Sequence, residues 1–134
     1  ADAQVPGPGP VIEIGDVAKD LHLYSKPDEF VLTWKQGSTV ISETRIRRDA
    51  VADENTPRYP DLAKKIIEEW KNHGTHVDAS DRRVDRCVVH SDNQEPFREV
   101  VAVMDAVYEA KRDMVLANGR RRKVPVFNMA FASR

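Results

Sequence analysis

The chain has 134 residues, 21 Lys and Arg against 22 Asp and Glu, a net charge of −1 and 40% hydrophobic content, which suits one globular domain around a single core and disfavours a second. The near-cancelling charges leave no general positive field to hold nucleic acid against salt, so a nucleic-acid partner is not expected. One cysteine, Cys87, excludes an internal disulfide and any multi-cysteine zinc or iron–sulfur centre, and the apolar runs fall far short of the ~18 residues that span a bilayer.

The opening Ala1-Asp2-Ala3-Gln4 has neither the basic nor the apolar region of a signal peptide, so the chain as given is expected to be soluble. Val5 to Pro10 (VPGPGP) alternates residues that lack an amide donor with residues that lack a side chain, the composition of a linker. Val11 to Ile14 (VIEI) alternates as a short strand does, able to pair at an edge or swap to a neighbouring subunit, so residues 1–14 are expected to form a tether with that strand.

Phe30 to Lys35 and Thr39 to Arg45 are β-branched and aromatic runs around Gln36-Gly37-Ser38, the pattern of a β-hairpin with Phe30, Leu32 and Trp34 on one face. Arg47 to Arg58 is polar, with Asp49, Asp53, Glu54, Asn55 and Pro57, and suits a solvated connection. Pro60 at a first helical position, Asp61 beside it, and Leu62, Ala63, Ile66, Ile67 and Trp70 at helical spacing predict a helix ending at Gly74. Val84 to His90 reads as a strand whose Val-Val centre predicts an interior place in the sheet, ending at Ser91-Asp92-Asn93. Pro96 opens a second helix with an apolar stripe of Phe97, Val100, Val101, Met104, Val107 and Tyr108, and with Asp105 off it. Asn118-Gly119 signals a turn, Arg120 to Lys123 is basic, and Val124 to Phe131 is the last strand. Hairpin, helix, strand, helix, strand predicts an α+β fold: a two-layer sandwich with a mixed sheet and two helices on one face.

No nucleophile-elbow, Walker A, HExxH, CxxC or dinucleotide-binding pattern occurs, so no catalytic residue or cofactor is expected. His73, His76 and Asp78 offer metal-ligand chemistry, but Gly74 interrupts the helix between the two histidines and the same residues suit a helix C-terminus. His90 and Asp92 flank a strand end, where polar side chains can converge on a ligand or simply cap a turn. Cys87, between apolar neighbours, suits inert packing better than reactivity. Arg120 to Lys123 suits either a phosphate or polyanion contact or a solvated hairpin tip. In the last strand Val124, Val126, Asn128 and Ala130 share one face, expected to be the more exposed one, and form the candidate edge for pairing with another chain.

The segment Arg86 to Tyr108, RCVVHSDNQEPFREVVAVMDAVY, resembles the signature of the ExbD/TolR family of biopolymer-transport proteins. A strand ends in Asp92, the Pro96-Phe97 pair opens a helix, and Val100, Val101, Val103, Met104, Asp105 and Ala106 follow in the family's order. The resemblance covers Phe30 to Ala132, and the VLTWK and RYPDLAKKI segments are similar to divergent members from gliding and predatory bacteria. Two features depart from the family. Ala110-Lys111-Arg112 replaces the Ala-Gly ending of the second helix, with a longer insertion before the last strand, and no transmembrane helix with a proton-linked Asp is present. The resemblance implies that residues 15–134 are a non-catalytic periplasmic domain of an inner-membrane motor subunit. It implies a homodimer that works with a channel subunit of the ExbB/TolQ/MotA type. Such a dimer passes proton-motive force to an effector such as TonB, TolA or motility machinery, and some members contact peptidoglycan. The residues themselves also fit a small cytoplasmic ligand-binding or regulatory α+β module using His90 and Asp92, or a small hydrolase using the same pair.

Overall fold

Gly37 lies at φ +65°, where a side chain strains the backbone, and there the chain reverses between β2 (Glu29–Gln36) and β3 (Thr39–Arg47). The register slips between Trp34 and Lys35, a bulge that explains why the faces of Val40 and Ile41 alternate poorly; both are exposed. The computed structural model describes residues 18–53 and 56–133, so the expected tether and the Val11 to Ile14 strand lie outside the described residues.

A strand left unassigned above, β1 (Asp20–Ser25), turns out to be central. It pairs antiparallel with β2 and parallel with β6 (Asp85–Ser91), while β9 (Phe127–Ser133) pairs parallel with β6, giving the mixed order β3-β2-β1-β6-β9. The interior place expected for the Val-Val strand is where β6 lies. The helices α1 (Pro60–His73) and α2 (Phe97–Tyr108) cover one face. Their buried residues join Leu21, Leu23, Phe30, Leu32, Trp34, Cys87 and Val89 in one core, the α+β sandwich expected from the order of elements. Asp85 is a buried carboxylate at the start of β6; it accepts from Trp70 Nε1 at 2.8 Å and from the Thr75 and His76 amides at 2.9 and 3.2 Å, pinning the loop after α1.

Four expectations need correction. The polar 47–58 connection contains the short antiparallel pair β4 (Val51–Asp53) and β5 (Thr56–Arg58). The insertion after α2 is half of a second ribbon, β7 (Lys111–Val115) with β8 (Arg121–Pro125), turning through Gly119 at φ +82°. The run from Val124 to Phe131 is broken at Val126, whose amide bonds the Ala110 carbonyl, so Val124 belongs to β8 and alternation does not carry across the break. Val126 and Phe127 are consequently both buried, Asn128 is exposed, Ala130 is half-buried, and Phe131 at the sheet edge is half-exposed rather than inward. Finally, α2 is rotated relative to its expected stripe. It buries Ala102, Val103, Ala106 and Val107, leaving Val100, Val101 and Met104 half-buried and Phe97 79% exposed. Small Ala102 and Ala106 let this helix approach the α1 and sheet side chains closely, so the bulkier stripe is not the one the core accepts.

Candidate functional site

The parallel strands β1 and β6 end side by side, and polar side chains from four other segments converge there on Arg48, just beyond β3. Its guanidinium reaches Glu95 Oε2 at 2.7 Å, Glu99 Oε1 at 2.9 Å, Ser25 Oγ at 2.6 Å, the Lys26 carbonyl at 3.0 Å and Tyr59 Oη at 3.1 Å. It also stacks over the rings of Phe30 and Tyr59, at 4.7 and 5.2 Å from their centroids. The Tyr59 hydroxyl donates to Glu99, and Ser25 Oγ donates to Glu95 Oε2 at 2.9 Å. Burial works against the charge on Glu99, but the Tyr59 hydroxyl and the Arg48 guanidinium outweigh it and hold the carboxyl below its ordinary range; burial, with Glu99 beside it, pushes the Tyr59 phenol up.

This cluster floors a cavity of about 310 Å³ whose rim includes Lys26, Pro27, Asp92, Gln94 and Pro96. Its chemistry is that of a clamp: Glu95 is neutralised by Arg48, so it is a weak base toward Ser25, and the network ties β1, β3, α1 and α2 together at one end of the sheet. No motif marked it beforehand, because Ser25, Arg48, Tyr59, Glu95 and Glu99 span most of the chain; only the Glu95-Pro96 approach to the helix hinted that carboxylates gather there.

Asp92 does not cap α2. Its Oδ1 accepts the Gln94 amide at 2.8 Å and its carbonyl accepts the Glu95 amide, closing a turn, while the N-cap is Pro96 without a side-chain bond. Asp105 is exposed on α2, as expected. His90 and Asp92 both line a smaller cavity of about 160 Å³, but the His90 ring lies on the uncovered sheet face, with Nε2 2.8 Å from His22 Nδ1 and the ring stacked 4.3 Å from Tyr24. His22 titrates lower than usual because of burial and then Lys35, with Asp20 opposing.

His73 leans on the Trp34 ring, His76 Nδ1 pairs with Asp81 at 2.8 Å, and Asp78 holds the Ser80 amide and hydroxyl, so these three side chains have separate partners. Among the described residues no group of three or more His, Cys, Asp or Glu is placed to hold a metal ion. Cys87 is fully buried, and burial, followed by the Asp20 charge, pushes its thiol up to about 12.

The two edges of the sheet differ. On β3 the exposed Glu43, Arg45 and Arg47 interrupt the strand, whereas β9, reading FNMAFAS, has no charged residue. The Asp85 amide bonds the Val126 carbonyl at 3.0 Å, which sets the phase of the parallel ladder. Alternate residues turn both backbone groups to the same side, so Asn128, Ala130 and Ala132 face β6 while Phe127, Met129 and Phe131 turn theirs to the free edge.

Scanning the chain against protein-family models gives no match, and searches among curated proteins and among solved structures give no significant one. The likeness to ExbD/TolR proteins therefore rests on the residues of Arg86 to Tyr108 and their element order. Those residues occupy β6, the Asp92 turn and α2, with Pro96 as N-cap and Phe97, Val100, Val101 and Met104 outside the buried core.

Proposed function

We propose that this domain is a non-catalytic, dimer-forming interaction module, the periplasmic part of an ExbD/TolR-like inner-membrane motor subunit, and that β9 is where it takes a strand from its sister subunit or from an extended effector. The uncharged free edge of β9 carries the reading. An unprotected seven-residue edge is the feature that proteins usually blunt with charge, proline or a cover, and leaving it open suits strand addition. The strand–turn–helix placement of the signature-like segment and the hairpin-α-β-α-β frame support the family assignment. On this reading the partners are a second copy, a channel subunit of the ExbB/TolQ/MotA type and an effector of the TonB, TolA or motility kind, with peptidoglycan a further contact. A single apolar stretch of about 20 residues bearing one Asp is then expected to be encoded ahead of Ala1.

The direct test is proline on the edge. Phe131 turns its amide outward, and a proline whose missing donor faces away from the ladder is tolerated by an edge strand. The Phe131→Pro chain is expected to fold, judged by circular dichroism, and to lose dimerisation in sedimentation equilibrium. Asn128→Pro removes a donor aimed at β6 and is expected to damage the fold itself. A folded Phe131→Pro chain that dimerises like the parent excludes strand addition at β9 and shifts the interface to the outward Phe97, Val101 and Met104 side of α2.

A further inference from the structure

Lys111 to Lys123 holds six cations (Lys111, Arg112, Arg120, Arg121, Arg122 and Lys123) and one carboxylate, Asp113, in a chain of net charge −1, so the remainder is net acidic. Elsewhere arginines are matched: Arg45, Arg48, Arg83 and Arg86 each reach a carboxylate. Among the described residues no ion pair involves Lys111, Arg120, Arg121, Arg122 or Lys123, and Arg120 to Lys123 are all exposed.

The ribbon presents these charges in a fixed array. Cross-strand register places Arg112 opposite Val124 and Met114 opposite Arg122 on one side, and Asp113 opposite Lys123 and Val115 opposite Arg121 on the other. On the first side Arg112, Met114 and Val124 are half-buried, and Arg112 bonds the His76 carbonyl at 2.7 Å and the Asp81 carbonyl. Arg82 holds the Val115 carbonyl at 2.8 Å, and the tip closes through the Leu116 amide to the Arg120 carbonyl at 2.7 Å. The second side is solvent-facing: Lys111, Arg121 and Lys123 surround Val115, an apolar side chain left 49% exposed, and Ala117 stands exposed at the tip.

We infer that the β7–β8 ribbon is a docking arm for an anionic lipid surface, with its outer cations on headgroup phosphates and Val115 and the tip entering the interfacial layer. The inference goes beyond the proposed function and does not depend on it. Lipid is favoured over a nucleic acid for two reasons. A duplex long enough to follow the ribbon continues over the acidic remainder of the chain, whereas a membrane touched by the tip stands off from it by the ribbon's length, about 17 Å against a screening length of about 8 Å. An exposed apolar residue amid arginines also has a use at a headgroup boundary that a phosphate backbone does not offer.

The test is flotation of the full chain with vesicles of phosphatidylcholine alone or with about 30% phosphatidylglycerol, at about 0.1 M salt. Binding is expected only to the anionic vesicles and is expected to be lost at about 0.5 M salt. Each basic residue near such a surface is worth about fivefold, so Arg121→Ser with Lys123→Ser is expected to weaken partitioning about 30-fold. Lys64→Ser with Lys71→Ser, which removes the same net charge from the exposed side of α1, is expected to weaken it less than about threefold. The inference is overturned if neither vesicle binds, if neutral vesicles bind equally, or if the ribbon variant binds like the parent. It is also overturned if the α1 variant loses as much as the ribbon variant, or if duplex DNA at matched phosphate concentration binds more tightly than the anionic vesicles.

Discussion

Replacing Arg48 with Met tests whether the strand-end cluster holds the fold together through charge. Methionine keeps an apolar stem against Phe30 and Tyr59, so packing changes little and the loss reports the missing guanidinium. Two carboxylates then stand without their partner, and their side chains are only 9% and 22% exposed for Glu95 and Glu99. Breaking a buried ion pair from one side costs about 3–5 kcal/mol; water entering the adjacent cavity resolvates part of the stranded charge, so the expected loss is about 2–4 kcal/mol. Urea unfolding of the full chain, followed by fluorescence of the buried Trp34 and Trp70, measures it near neutral pH. Adding Glu95→Gln and Glu99→Gln removes the stranded charges and is expected to recover at least half of the loss. The pH dependence has a definite sign. Glu99 titrates below its ordinary value of 4.5 in the folded chain, so its contribution is complete above that value and disappears as pH falls through the lowered one. The gap between parent and Arg48→Met is therefore expected to narrow in acid. A loss below about 1 kcal/mol, or a triple variant no more stable than Arg48→Met, refutes the clamp.

The rotation of α2 makes a paired expectation: Val103→Ala, at a site 1% exposed, costs about 2–3 kcal/mol, while Met104→Ala, half-buried outside the core, costs less than about 1 kcal/mol by the same urea measurement. Equal losses, or the reverse order, contradict the burial described for the helix. Cys87 is expected to react with a disulfide reagent far more slowly in the folded chain than in urea, because its thiol is enclosed and pushed up to about 12; equal rates exclude that enclosure.

Local chemistry was enough to find the elements whose signals lie within a few residues. Gly37 between two β-branched runs, Pro60 with the Leu62 to Trp70 spacing, and the Val-Val centre of β6 each carry their own structural reason, and together they imply the α+β order. Even β1 had a readable signal in the alternation of Leu21, His22, Leu23 and Tyr24, although nothing local says that so short a run sits mid-sheet. Which side of α2 is buried depended on the partner surface. That helix is apolar on two sides, and close packing selected the one with Ala102 and Ala106 over the one with Phe97 and Met104. The Arg48 cluster was likewise beyond local reading, since Ser25, Tyr59, Glu95 and Glu99 meet only when β1, β3, α1 and α2 are brought to one end of the sheet. Periodicity specifies what an element is because it is a property of neighbours in sequence; which faces meet, and which charges become partners, is settled by contacts between residues far apart in the chain.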